Sequence, residues 1–152
     1  MGQINLRSLN FAHRILLGGA AILFIVLFFT WQGVSLLGTT VGVTGWHGLN
    51  GVLLGLATTA LLAWEVLLLV GDQAAELRKN LLSKIEVPDR LISAALAAAV
   101  LALGILKFLT ASQLRRWPEW LGVLIAIGIG YGGWLVYSAH AESSPEAQVA
   151  SD

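Results

Sequence analysis

Long apolar stretches alternate along the chain with short polar connections. Four stretches approach the length of about 20 mostly apolar residues that a helix needs to cross a bilayer. They lie at about 15–31, 49–70, 91–110 and 118–137. The pattern therefore predicts an all-α fold, an integral membrane four-helix bundle made of two antiparallel helical hairpins within a single transmembrane domain over residues 1–138.

The first stretch follows Arg7 and Arg14, as the apolar core of a secretory signal peptide would. It is longer than such a core, and no small-residue cleavage site follows it promptly. We therefore expect this stretch to be retained as the first span.

Two of the polar connections have patterns of their own. Leu and Ile recur at helical spacing between the second and third stretches, which predicts a short amphipathic helix at about 73–86 on the inner membrane surface. We expect its basic residues, Arg78, Lys79 and Lys84, to contact anionic lipid. The loop over 32–48 contains the alternating run GTTVGVTGW, which is typical of a short hairpin or an extended turn.

Basic residues are divided unequally between the two sides of the predicted bundle. With the N-terminus inside, the inner side holds six of the nine Lys and Arg residues. The inner set is Arg7, Arg14, Arg78, Lys79, Lys84 and Arg90, and the outer set is Lys107, Arg115 and Arg116. Because positive charge favours the cytoplasmic side, we expect both termini in the cytoplasm and the chain in the plasma (inner) membrane.

Composition agrees with a membrane location. The chain of 152 residues is 57% hydrophobic and 12% charged, and its net charge is zero, so no overall field attracts nucleic acid. Cysteine is absent, which excludes disulfides and thiolate metal sites. Trp31, Trp46, Trp117 and Trp120 fall at the predicted outer interface, where we expect them at headgroup level. Segment 139–152 is small, polar and acidic, which predicts a disordered tail.

Small residues indicate which helix faces pack, because helices in lipid associate through close backbone approach. They recur at four-residue spacing on three of the predicted spans. The sets are Gly51, Gly55, Thr59 and Ala63 on the second, Ala94, Ala98 and Ala102 on the third, and Gly122, Ala126 and Gly130 on the fourth. The same pattern would serve packing within the chain or self-association with another copy.

One acidic residue, Glu65, lies inside the apolar run LLAWEVLLLV. A carboxylate at that depth needs a partner, water or a proton. Counting back by seven residues places Thr58 on the same helix face, so we expect Glu65 to point into the bundle. The expected partner is Arg14 or His13, at the inner end of the antiparallel first span. Two interpretations stay open: a proton or cation relay site, and a structural pair or protonated acid that fixes helix register.

Other polar groups near the spans have simpler interpretations. Lys107 is turned away from the alanine stripe of its helix, so we expect its ammonium group to extend to the outer headgroups. His13 and His140 fall at the same inner interface, which would allow a haem or metal pair. Haem ligands in membrane bundles usually lie deeper, so we expect no cofactor and no metal. We expect His47 to be a plain interfacial residue.

The stretch LFFTWQGVS, followed by GWHG and a second apolar span, resembles a pattern of uncharacterised small four-span bacterial membrane proteins. The matching residues are Phe28, Phe29, Trp31, Gly45, Trp46 and Gly48. The resemblance covers about the first 70 residues and implies a bacterial inner-membrane protein. It implies no activity and no catalytic residues.

Packing signals are abundant in this sequence and buried polar groups are few. That balance favours a non-enzymatic multi-pass protein, an accessory or scaffold subunit or a lipid-facing structural protein, whose partners are the bilayer and other membrane subunits. The alternative is a small channel or transporter subunit with Glu65 as its titrating site, although transport needs several polar groups along a path. An enzyme is the third hypothesis, and its inner cluster would be His13, Arg14, Glu65 and His140.

Overall fold

The computed structural model describes residues 10–82, 87–110 and 116–141. Within them lie five helices and one two-stranded hairpin. In chain order these are α1 (Phe11–Val26), β1 (Thr30–Leu36), β2 (Thr39–Thr44), α2 (Gly48–Val70), α3 (Asp72–Leu82), α4 (Asp89–Thr110) and α5 (Trp117–Ala141). The fold is therefore mainly helical, and the β-hairpin lies in the connection between α1 and α2.

Three helices, α2, α4 and α5, are long and apolar enough to cross a membrane. Their bounds lie within a few residues of the predicted spans. Helix α1 is apolar but has 16 residues, which corresponds to about 24 Å against the roughly 30 Å of a hydrocarbon core. The length and composition of the helices thus indicate a membrane protein with at least these three candidate spans.

The predicted end of the first span is wrong. Helix α1 ends at Val26, and Trp31 belongs to β1. The amides of Phe28 and Phe29 bond to carbonyls three residues earlier, so the last turn tightens before the chain extends. The sequence does not mark this change, because a helix and a short strand can have the same apolar composition.

The two strands form an antiparallel hairpin, which confirms the hairpin interpretation of the loop. Leu36 pairs with Thr39 across a two-residue turn. Both turn residues, Leu37 and Gly38, have positive φ, 51° and 82°. Such a turn matches the natural twist of two paired strands.

Neighbouring helices pack antiparallel to each other. Helix α1 contacts α2 and α5, and α4 contacts the same two helices. Their buried positions follow alternating steps of three and four residues, as at the seams of helical bundles. The seams are Gly51, Leu54, Thr58, Leu61 and Glu65 on α2, Ser93, Ala97, Val100, Gly104 and Lys107 on α4, and Glu119, Gly122, Ala126, Ile129, Gly133 and Val136 on α5. Below, the end of the helices near His13 is called the His13 end, and the opposite end the Lys107 end.

Several predicted packing faces differ from these seams. Thr59 and Ala63 are exposed, and so are Ala98 and Ala102 on α4. The buried face of α4 is shifted by about one residue from the predicted alanine stripe. Alanine occurs on every side of α4, so alanine spacing alone does not select a face.

The glycines of α2 contact a loop residue. A side chain on Gly51 would meet the backbone of Gly45 and Trp46, and one on Gly55 would meet the Trp46 ring. Trp46 is half-buried and packs against Phe24. This aromatic therefore covers the first turns of α2.

Small residues of α5 do lie at close helix contacts. Added side-chain carbons show how tight these are: one on Gly130 would lie 2.6 Å from Leu101, and one on Gly104 would lie 2.8 Å from Ala126. Gly122 instead faces the ring of Trp31, which is 1% exposed. Trp31 is thus a core residue at the Lys107 end, and its ring packs inside the fold.

Two further boundaries differ from the predictions. Helix α5 continues to Ala141, so residues 139–141 of the predicted tail are helical, and 142–152 lie outside the described residues. The predicted surface helix is α3, and positions 83–86 of that prediction also lie outside the described residues.

Candidate functional site

The structure brings together His13 and Glu65. Helix α1 and helix α2 are antiparallel neighbours, so the first turn of α1 lies beside the last third of α2. The Nδ1–H of His13 donates a hydrogen bond of 2.8 Å to Oε2 of Glu65. Glu65 is 1% exposed, whereas the His13 side chain is 23% exposed. The buried acid is thereby connected to the surface through a single imidazole ring.

The burial of Glu65 explains why this contact forms. An ionised carboxylate taken from water without a partner is strongly disfavoured, and an imidazolium supplies both charge and a donor. Among the described residues no group hydrogen-bonds the other oxygen, Oε1. Of the two partners expected from sequence, His13 makes this bond, and Arg14 lies exposed one residue further along α1.

Thr58 does not join this pair. It is fully buried on the same face of α2, as predicted from its seven-residue spacing. Its hydroxyl donates a 2.8 Å hydrogen bond to the backbone carbonyl of Leu54 in its own helix. Seven residues correspond to about 10 Å along a helix, so Thr58 is too far to bond Glu65 directly.

A cavity of about 470 Å³ adjoins the pair at the His13 end. Its lining combines His13 from α1 and Leu68 from α2 with the residues that begin α4, which are Pro88, Asp89 and Arg90. The lining thus combines two apolar residues, Leu68 and Pro88, with three polar ones.

The basic residues of α3 were expected to contact lipid. Arg78 instead donates a 3.1 Å hydrogen bond to the Asp89 carboxylate, which connects α3 to the start of α4. Lys79 is exposed, and Lys84 lies outside the described residues. Arg78 therefore has a structural contact that spacing along one helix did not reveal.

Lys107 is the main polar residue that sequence reasoning misplaced. It is 6% exposed, and its ammonium group donates to the backbone carbonyl of His47. The fully buried carboxylate of Glu119, at the start of α5, attracts it electrostatically. The expected extension to the headgroups is therefore wrong. The available signal was the three-and-four spacing that leads from Ser93 to Lys107 along one face.

A second cavity, of about 430 Å³, adjoins Lys107. Its polar lining includes Gln32, His47, Asn50 and Thr110. Asn50 donates to the Thr110 hydroxyl at 3.1 Å, which joins the start of α2 to the end of α4. Both ends of the helices thus carry charged groups, whereas the section between them is mainly apolar, and the buried hydroxyl of Thr58 within it bonds its own helix.

The haem interpretation requires His13 and His140 as ligands. In the structure, Nδ1 of His13 hydrogen-bonds Glu65. His140 lies in the last turn of α5, and its side chain is outside the described part of the chain. Within residues 10–82, 87–110 and 116–141, no group of three His, Cys, Asp or Glu side chains could hold a metal ion.

Comparison of the chain with protein-family models, curated proteins and solved structures found no match. The fold and the two polar ends described above therefore carry the functional argument.

Proposed function

We propose that the chain is a non-enzymatic, four-span protein of the bacterial inner (plasma) membrane that serves as an accessory or scaffold subunit. The observation that carries this proposal is the buried, mainly apolar section between the two polar ends. Leu54, Leu61, Val100, Ala126 and Ile129 are each 0% exposed and occupy the middle of the helix seams. Buried apolar side chains in the middle favour a static bundle over a path for ions or substrate.

Helix α1 is the fourth span in this proposal, completed by the residues that follow it. His13 bonds Glu65 at one end, and the carbonyl of Trp31 accepts a 2.8 Å hydrogen bond from the amide of Arg116 at the other. Between these points Gly19 approaches Ile129 of α5. The segment from His13 to Trp31 therefore accompanies α5 along most of its length, which supports a crossing of the same thickness.

The proposed arrangement is a four-helix bundle with both termini in the cytoplasm. The excess of Lys and Arg at the His13 end supports that orientation. Leu, Ile and Val side chains left on the outer faces suit lipid or neighbouring membrane subunits, including a second copy of the chain.

Reconstitution tests the non-transporting role. Purified protein in liposomes should give proton and potassium fluxes equal to those of empty liposomes when a membrane potential is applied. Flux above that of empty liposomes, lost on heat inactivation of the protein, would refute the proposal.

The second candidate is a small channel or transporter subunit with Glu65 as its titrating site. One observation favours it: the buried carboxylate is connected through His13 to a cavity of about 470 Å³. If the liposomes do show flux, the Glu65→Gln protein separates the mechanisms. Undiminished flux in that protein would remove Glu65 from the transport path.

A further inference from the structure

The buried ammonium group of Lys107 has N–H donors that the fold leaves unused. Lys107 is 6% exposed, and an ammonium group carries three donors. Among the described residues it has one hydrogen-bond acceptor, the carbonyl of His47. Buried polar groups are almost always hydrogen-bonded, and this side chain lines the cavity of about 430 Å³ at the Lys107 end. The two remaining donors therefore require an acceptor inside that cavity.

The first turn of α2 supplies further donors to the same cavity. Gly48, Leu49 and Asn50 begin the helix and line the cavity. The first amides of a helix have no acceptor within it, and the His47 side chain makes no capping bond. In the described part of the chain, no carbonyl that precedes α2 accepts from these three amides. They therefore present N–H groups and the positive end of the helix dipole to the cavity.

The nearby acceptors leave these donors available. Glu119 balances the charge of Lys107 electrostatically, and no carboxylate of the described residues lines the cavity. At the end of α4, the carbonyls of Leu106 and Lys107 accept hydrogen bonds from the Thr110 hydroxyl. The cavity thus combines several unused donors with the positive end of a helix, an environment that suits an anion.

We propose that the cavity at the Lys107 end binds a phosphate group. A phosphate has several acceptor oxygens around one centre, so it meets the ammonium group and the first-turn amides together. The cavity lies where α2 begins and α4 ends, and both helices are candidate spans, so a lipid headgroup and a soluble phosphate both reach it. The inference does not require the accessory role, so either proposal can fail without the other.

Calorimetric binding to the full-length protein in maltoside micelles tests the site. The probes are short-chain phosphatidylglycerol, inorganic phosphate and a short-chain diacylglycerol, which lacks the phosphate. We expect binding of a phosphate-bearing probe to exceed that of the diacylglycerol. Tighter binding of phosphatidylglycerol than of inorganic phosphate identifies a lipid headgroup as the source, and equal or weaker binding identifies a soluble phosphate. If neither probe binds more tightly than the diacylglycerol, the proposal is wrong.

Two variants test whether the bound phosphate meets the proposed donors. Leu49→Pro removes one first-turn N–H without a change of charge, and proline is tolerated at the start of a helix. We expect it to weaken binding about tenfold through loss of a charge-assisted hydrogen bond. Lys107→Gln should weaken binding at least as much. The control, Lys79→Gln, removes one positive charge from an exposed position of α3 and should leave binding unchanged.

Two results with these variants would overturn the proposal. The first is unchanged binding by Leu49→Pro protein whose circular dichroism spectrum equals that of the unaltered protein. The second is equal weakening by Lys107→Gln and Lys79→Gln, which would indicate general surface charge. If loss of the charge that balances Glu119 prevents Lys107→Gln from folding, Leu49→Pro provides the decisive variant.

Discussion

At the scale of single residues, Glu65 is the clearest case of a group whose position requires a partner. It is 1% exposed, and its bond to His13 crosses from α2 to α1. Removing the partner from a buried charge typically costs about 3–5 kcal/mol, whereas replacing both members by apolar residues is often neutral. We therefore expect His13→Leu to destabilise the protein by about 3 kcal/mol, and His13→Leu with Glu65→Leu to recover most of that loss.

Thermal unfolding in detergent, followed by circular dichroism for the two single variants and the double variant, measures this cycle. The cycle gives the coupling free energy between the two positions. Subtracting the losses of the single variants from that of the double variant removes the effects that each substitution has alone. Additive losses in the double variant would show that the pair contributes nothing to holding α1 against α2.

Lys107 gives a second residue-scale prediction. Its ammonium is buried beside Glu119, so Lys107→Met, which keeps the length of the side chain, removes a cation from the interior. We expect the free energy of unfolding to fall by roughly 3 kcal/mol, and Lys107→Met with Glu119→Gln to be more stable than Lys107→Met alone. Chemical unfolding in mixed micelles measures both. A change below about 0.5 kcal/mol for Lys107→Met would instead agree with an ammonium in the headgroup region.

At the scale of elements, α5 offers a matched pair of glycines. A side-chain carbon on Gly122 would lie 2.5 Å from the Trp31 ring, whereas one on Gly128 would meet nothing within 4 Å. We expect Gly122→Ala to destabilise by about 1–3 kcal/mol through overpacking. Gly128→Ala should stabilise by roughly 0.5–1 kcal/mol, because alanine is the better helix former. The two melting temperatures, measured in one detergent, give the comparison, and equal shifts would contradict the close contact between β1 and α5.

Element bounds and element faces differ in how well the sequence predicts them. The apolar lengths of α2, α4 and α5 follow directly from long runs that polar residues interrupt at both ends. The buried face of α4 does not, because alanine occurs on every side and the burial of Lys107 depends on His47 and Glu119 in other elements. The switch from α1 to β1 likewise depends on pairing with β2, which no local pattern around Trp31 contains.

The sequence likewise predicts one part of the candidate site and not the other. The depth of Glu65 and its seven-residue relation to Thr58 predict its helix face, and the antiparallel neighbour limits its partners to the start of α1. The cavity at the His13 end also requires Asp89 and Arg90. These lie beyond a connection whose path the sequence does not specify, so the cavity was not predicted.

At the scale of the whole molecule, the number of crossings decides between two topologies. The chain has no cysteine, so single cysteines placed in it react without background. Asn10 precedes α1, Thr39 follows the hairpin turn, and Lys79 lies on α3, and each is exposed. If α1 crosses the membrane, Asn10 and Lys79 share the cytoplasmic side and Thr39 lies opposite. If α1 does not cross, Asn10 moves to the side of Thr39, and the other two positions stay unchanged.

We expect a membrane-impermeant maleimide to label Thr39→Cys in intact cells and to label Asn10→Cys and Lys79→Cys only in inverted vesicles. Lys79→Cys serves as the control for leaky cells, because both topologies place it opposite Thr39. Labelling of Asn10→Cys in intact cells would reduce the protein to three crossings. That result would also contradict the contact of His13 with Glu65, which places the start of α1 at the end of α2 that leads to Lys79.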